Sequence, residues 1–319
     1  MSERRTHHLR RVLDRSTPAA AATAGALLLT ACGATAAPAP PTAAASASAS
    51  PASSAPPSPA GTPPATVPVD VDGIGWGHVH NLAYDGDTLV LGTHGGLFLQ
   101  QQGRAPELRS ETGFDVMGLA YDGRRWLASG HPAPDDDLPA DLGLRASADG
   151  RTWTTVSLLG EVDFHRLTAS GATVLGVSAH DGALLRSQDK GASWTRLDNP
   201  GVFDVALDPS SPGRALATTE NGPLLSTDAG TSWSPIAEAP LLAFVAFSAG
   251  TAYGVSPDGA AHVSSDGGAT WIRTGGIGAR PEAFAAADGR VAVLGGGKVH
   301  ESVDGGATFA PRLTGLDDH

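Results

Sequence analysis

Beyond about residue 70 the apolar positions come in short runs, such as Thr88-Leu89-Val90-Leu91 and Val174-Leu175-Gly176-Val177, broken by Asp-Gly and Gly-Gly pairs. Runs of four to six β-prone residues between turn formers are too short for helices and predict an all-β fold. One pattern repeats: Ser187-Gln-Asp189-Lys-Gly191-Ala-Ser193-Trp194, then Ser226 to Trp233, Ser264 to Trp271 and Ser302 to Phe309, with a copy one residue shorter from Ser147 to Trp153. Its aspartates, Asp149, Asp189, Asp228, Asp266 and Asp304, are spaced by 40, 39, 38 and 38 residues. That period suits one four-stranded blade, so the chain is expected to form a β-propeller. A blade ahead of these five follows from Asn81-Leu-Ala-Tyr-Asp-Gly matching Gly118-Leu-Ala-Tyr-Asp-Gly, although it has lost the Ser/Asp pattern. About six blades result, seven remaining open, with the leftover ends sharing or capping a blade.

The segments before the repeats change the picture of where the domain works. Residues 1 to 31 carry Arg4, Arg5, Arg10, Arg11 and Arg15, an apolar run from Ala19 to Leu29, and Leu29-Thr30-Ala31 before Cys32. This reads as a lipoprotein signal peptide, its apolar run falling short of the roughly 20 residues of a membrane span. Arg10-Arg11 leaves both general and twin-arginine export open. Cys32 is the sole cysteine, which excludes an internal disulfide and assigns its thiol to lipid attachment. Residues 32 to 69 are largely Ala, Pro, Ser and Thr, unable to bury a core, and are expected to be a disordered tether reaching roughly 100 Å at about 3.1 Å per residue. The domain is expected over residues 70 to 319, as a monomer anchored to the outer face of the cell membrane. Cleavage leaves 16 of the 21 basic and 31 of the 33 acidic residues, a net charge of −15. Such a surface excludes nucleic acid and anionic lipid heads as partners.

In a propeller the first strand of each blade lines the channel and starts on the face that carries the loops between strands two and three. Aligning first strands puts His78, Asp115, Asp163 and Arg280 at one level, with His80, Met117, His165 and Glu282 two residues on. Aligning the loops puts His94, His131, His180 and Glu220 at one position. Six histidines and several carboxylates then converge on one face, a ligand set for Zn, Cu, Ni or non-haem Fe, or for a small polar ligand. Asp115, Asp163, Glu220 and Glu282 are also the candidate acids if the site hydrolyses glycosides. Blade two carries an insertion, Pro132 to Pro139 with Asp135-Asp136-Asp137, expected to overhang this face as a solvated loop or lid. The repeat aspartates are read as turn formers, not catalysts, because Ser and Asp oxygens suit loop amides and Gly a positive φ.

The repeat is similar to the Asp box of sialidases, sortilin-type receptors and other propellers. His78-Val-His80, Thr93-His94-Gly-Gly-Leu-Phe, Ser129-Gly-His131-Pro132, Asp137-Leu-Pro139, Leu142-Gly-Leu144 and Ser157-Leu-Leu-Gly-Glu161-Val-Asp163-Phe-His165 resemble an exported bacterial Asp-box family, BNR-repeat and sortilin-like, commonly labelled glycosyl hydrolase. The resemblance spans about residues 73 to 313 and implies fold more than activity. A sialidase needs three arginines around the substrate carboxylate and a Tyr nucleophile. Only Arg280-Pro281 resembles part of that set, and Tyr84 and Tyr121 fall at the far ends of their strands. Trp76 and Phe114 are the aromatic residues expected near the histidine rim. The expected function is a tethered binding propeller for a metal or small polar ligand. Glycosidase, metal-assisted hydrolase and assembly scaffold stand as alternatives.

Overall fold

The computed structural model describes residues 67–316; the expected signal peptide, Cys32 and most of the expected tether lie outside them. After a short strand β1 (Val69–Asp70), six antiparallel sheets follow in chain order. Blade 1 is β2 (Val79–Asp85), β3 (Thr88–Thr93), β4 (Gly96–Gln100) and β5 (Glu107–Leu108). Blade 2 is β6 (Asp115–Tyr121), β7 (Trp126–His131), β8 (Leu144–Ser147) and β9 (Thr154–Ser157). Blade 3 is β10 (Phe164–Ser170), β11 (Thr173–Ser178), β12 (Leu184–Ser187) and β13 (Thr195–Leu197). Blade 4 is β14 (Asp204–Leu207), β15 (Ala215–Thr218), β16 (Leu224–Ser226) and β17 (Ser234–Pro235). Blade 5 is β18 (Phe244–Ser248), β19 (Thr251–Val255), β20 (Ala260–Ser264) and β21 (Ile272–Gly276). Blade 6 is β22 (Ala283–Ala287), β23 (Arg290–Leu294), β24 (Lys298–Ser302) and β25 (Ala310–Thr314). The described residues contain no helix and no seventh blade.

The second strand of each blade is sandwiched between neighbouring sheets, which is why it reads as an unbroken apolar run: Leu89, Val90 and Leu91 are all fully buried. The core is therefore divided among six seams. Val90 and Leu97 of blade 1 pack on Val116, Trp126 and Trp153 of blade 2. At the last seam Ala292, Leu294 and Leu313 of blade 6 pack on Leu82, Leu89 and Phe98 of blade 1, closing the ring. The leftover N-terminal residues add a strand instead of completing a blade, since β1 runs parallel to β25 with Val69 opposite Leu313.

The repeated motif is a self-contained turn between strands three and four. Ser187 Oγ donates to Asp189 Oδ1 at 2.7 Å and accepts from Gly191 N at 2.8 Å, while Asp189 accepts from the amide and hydroxyl of Ser193. Gly191 has φ +88°, and a Cβ there would lie 2.1 Å from Leu144 of the preceding blade, so only glycine fits. Blades are also tied by arginines that reach the next turn's carbonyls: Arg109 to Asp149 at 2.8 Å and Arg186 to Asp228 at 3.0 Å. Because strands alternate in direction, these turns lie on the face opposite the loops between strands two and three.

Hydrogen bonds from Ser193 and Ser232, first from their hydroxyls, pull the carboxyls of Asp189 and Asp228 down to about 2. A folded value below the unfolded value of about 3.9 means the stabilisation is complete above pH 4 and is lost as pH falls towards 2. Asp228→Asn is expected to flatten the fall in thermal midpoint between pH 4 and pH 2, measured by calorimetry beside the wild type. An unchanged slope would show that these turns contribute nothing to acid unfolding.

Candidate metal centre

Each innermost strand of blades 1 to 3 carries a bulge near its start, and the bulge decides which side chain turns into the channel mouth. In β2 the register shifts between Val79 and Asn81, in β6 between Val116 and Gly118, and in β10 between Phe164 and Arg166. The extra residues are His80, Met117 and His165, and a bulge re-aims its side chain. Just before them His78, Asp115 and Asp163 occupy one level, opposite His94, His131 and Ala179.

Two His–Asp–His groups result, one blade apart. In the first, Asp115 of blade 2 meets two imidazoles of blade 1: His80 Nε2 at 3.3 Å from Oδ1 and His94 Nδ1 at 3.0 Å from Oδ2. In the second, Asp163 of blade 3 has His165 Nε2 at 2.7 Å and His131 Nε2 of blade 2 at 3.5 Å, both on Oδ2. In each group three donor atoms fall within 4.8 Å of one another. An ion bonded at about 2.1 Å holds its ligand atoms about 3.0–3.4 Å apart, so both groups are close to a metal's demands.

The electrostatics differ between the two. Burial pushes the Asp115 carboxyl up, but His80 at 3.3 Å and the charges of His94 and His131 outweigh it and hold the group below its ordinary value. The Asp163 side chain is only 2 % exposed, and its Oδ1, like Asp115 Oδ1 and His80 Nε2 of the first group, has no hydrogen-bond partner among the described residues. A buried carboxylate oxygen left bare is costly unless something else binds it. His131 is oriented from behind. Its Nδ1 lies 2.9 Å from the Ala140 carbonyl, which can only accept, so Nδ1 donates there and Nε2 is the ring atom left facing Asp163. That outer hydrogen bond is the usual support of a metal-binding histidine.

Backbone approach fixes the frame. Phe164 N donates to Ser129 Oγ at 2.9 Å, tying blade 3 to blade 2 at the site. Gly130 lies against β6 so closely that a Cβ would sit 1.9 Å from the Asp115 carbonyl oxygen.

The remaining candidates separate. His78 stays with the first group, its ring 5.0 Å from His80 and 6.4 Å from His94. His180 does not join the position of His94 and His131. In the observed register Ala179 holds that place, and His180, one residue on, pairs with Asp141 at 3.0 Å. The insertion of blade 2 is accordingly pinned at its end by His131 and His180 through Ala140 and Asp141. Glu282 lines a small cavity of about 180 Å³ with Trp76 and His78, and Glu220 and Arg280 line a separate cleft. Trp76 lines that small cavity beside His78 though it is mostly buried, and Phe114 is fully buried next to Asp115, so both lie near the rim without a broadly exposed ring. Tyr84 and Tyr121 line the deeper channel. Sequence reasoning missed Asp141, Arg166 and Asp204. Asp204 is a channel carboxylate pushed up by burial, opposed by Arg166 at 3.6 Å and by the Val245 amide. Its signal was the Phe203-Asp204 pair at the head of blade 4.

No family model matches the sequence, and no curated protein matches it. Among solved structures, a GH74 xyloglucanase from Xanthomonas campestris superposes with TM-score 0.50 at 19% identity, over 74% of this chain and 45% of that one. A GH74 enzyme from Niastella koreensis gives 0.52 at 19% identity over 74% and 38%. A chain of a Nidogen/Laminin complex gives 0.57 at 14% identity over 72% and 94%. This chain spans less than half the length of either GH74 enzyme, and at such identities what it shares with all three is the propeller fold.

Proposed function

We propose that this chain is an exported, membrane-tethered Asp-box propeller that holds a transition metal ion or small polar ligand on its histidine face. The observation that carries the reading is Asp163: a buried carboxylate with two imidazole nitrogens within 3.5 Å, one bare oxygen, and a histidine aligned from behind by Ala140. Two neutral imidazoles and one carboxylate suit Zn, Cu, Ni or Fe better than Ca or Mg, which prefer oxygen cages. When bound, the ion supplies Lewis acidity or binding energy. His131, His165 and Asp163 would hold one ion, and His80, His94 and Asp115 a second. The Arg-rich start and Leu29-Thr30-Ala31-Cys32 support lipid anchoring, and the Ser/Asp turns support the Asp-box reading.

Glycoside hydrolysis is the second reading, supported by the carboxylates of the mouth and by the activity named for the Xanthomonas campestris xyloglucanase. It needs two carboxylates free to act on opposite sides of a sugar, whereas Asp115 and Asp163 are each engaged by two imidazoles. An assembly scaffold has no comparable support on this face.

Elemental analysis of the full chain after metal loading and desalting tests the metal reading. The wild type is expected to retain about one equivalent per His–Asp–His group. His131→Ala/His165→Ala and His80→Ala/His94→Ala are each expected to lose one while keeping the wild-type circular dichroism. A wild-type chain that holds no transition metal overturns it.

A further inference from the structure

We propose that a cleft across the mouth from the histidine groups is a binding site for a neutral carbohydrate. The cleft, about 700 Å³, is built from the segments leading into β14, β18 and β22 and from the loops β15–β16 and β19–β20. Those segments all lie on the face that carries His94 and His131, yet none of the six histidines lines the cleft. Its volume is that of a small-molecule site, about 300–1,000 Å³.

The floor is an aromatic platform. Phe203 is 53% exposed although it is large and apolar, and its ring stands edge-on to the buried Phe244 with centroids 5.7 Å apart. The guanidinium of Arg166 rests 5.3 Å from the Phe203 ring and 5.4 Å from the Phe244 ring, so the platform is backed on two sides. Leu241, 48% exposed, extends the apolar surface. Two charged side chains, Glu220 and Arg280, line the same cleft, and neither makes an ion pair among the described residues.

These parts select a ligand class. An open aromatic face accepts the C–H face of a pyranose, while a carboxylate and a guanidinium take its hydroxyls as acceptor and donor. One negative and one positive group cancel, so the lining favours no net charge on the ligand. The chain's net charge of −12 further disfavours an acidic one. A lipid tail would leave Glu220 and Arg280 facing nothing they can bond. The cleft lacks the cation cluster that a phosphorylated ligand requires.

The test is an immobilised panel of neutral oligosaccharides (glucan, xyloglucan, xylan, galactan and chitin fragments) and acidic ones (sialylated and uronic), probed with the full chain. Calorimetric titration of the strongest neutral ligand follows. Neutral fragments are expected to bind. Phe203→Ala is expected to weaken the titrated ligand at least tenfold and Glu220→Gln severalfold. Phe203→Trp, which keeps the platform, should retain binding. His131→Ala/His165→Ala should leave it unchanged, which separates this site from the metal reading. The proposal is overturned if no oligosaccharide binds, if only acidic ones bind, or if Phe203→Ala binds as the wild type does.

Discussion

Replacing Arg312 by methionine is expected to cost about 3–5 kcal/mol of stability, the loss that follows when one partner of a buried charge pair is removed. Arg312 lies on β25 of blade 6 and is only 3% exposed. Its Nε donates to Gln100 Oε1 at 2.6 Å, its second amino group to the carbonyls of Gln100 and Asp87 at 2.8 and 3.1 Å, and the other amino group to Glu301. Glu301, also buried, accepts in addition from the Tyr84 hydroxyl at 3.0 Å and lies 3.5 Å from Arg290. Burial first, and the charge of Glu301 second, raise the Tyr84 hydroxyl well above its ordinary value, so it stays a donor. Methionine fills the volume but leaves the Glu301 carboxylate and two backbone carbonyls short of donors. These bonds join blade 6 to blade 1 across the seam where the ring closes, so their loss acts on the whole ring. Urea unfolding at neutral pH measures it. Arg312→Met/Glu301→Leu should recover much of the loss, because removing both charges removes the stranded one. A single-variant cost below about 1 kcal/mol would mean that apolar packing of Leu82, Leu313 and their neighbours closes the seam unaided.

That network also explains why blade 1 lacks the repeated turn. Gln100 ends β4 where Ser147, Ser187 and Ser226 end the matching strands of the next three blades. Its amide oxygen serves Arg312, 212 residues away, while its Nε2 holds a different local turn through the carbonyls of Gln101 and Arg104. The other turns were legible because every partner of Asp189 or Asp266 lies within four residues of it, so spacing alone counts the blades. The site was legible in part for a different reason. His78, Asp115 and Asp163 were placed at one level by the apolar pattern that follows them, and the bulge after each is one residue long in all three blades. His180 was misplaced because imidazole was matched to imidazole, whereas the ladder of blade 3 puts Ala179 at that position. Asp141 lies just past an insertion, Pro132 to Pro139, that no other blade has. Arg166 and Asp204 meet only across a blade boundary, as do Arg166 and the two phenylalanine rings, and no local spacing reports such a contact.

Zinc at a hundred times its Kd is expected to stabilise the wild-type chain by about 2.7 kcal/mol per occupied site, visible as a rise of about 5–10 °C in the thermal midpoint and reversed by a chelator. Asp163→Asn is expected to remove the part of that rise that belongs to the second group. The amide keeps the shape of the side chain, yet cannot supply the anionic oxygen that offsets the ion's charge in a site where the carboxylate is 2 % exposed. Without metal the same variant should cost little, because the acceptor role towards His165 survives in the amide oxygen. Asp141→Asn is the matched control: it touches His180 outside both groups, and the zinc-dependent rise should persist in full. Histidines that only cap loops by hydrogen bonds would respond differently from a metal centre. A metal centre makes Asp163 matter mainly when zinc is present. A set of hydrogen-bonded loop caps would make Asp163→Asn and Asp141→Asn alike in the absence of metal and leave zinc without effect on any of the chains. Coupling to the insertion gives a second readout, because His131 reaches Asp163 with one ring nitrogen and Ala140 with the other. Metal bound at Nε2 would hold that ring still, so hydrogen exchange over residues 132 to 141 should slow with zinc in the wild type and not in Asp163→Asn.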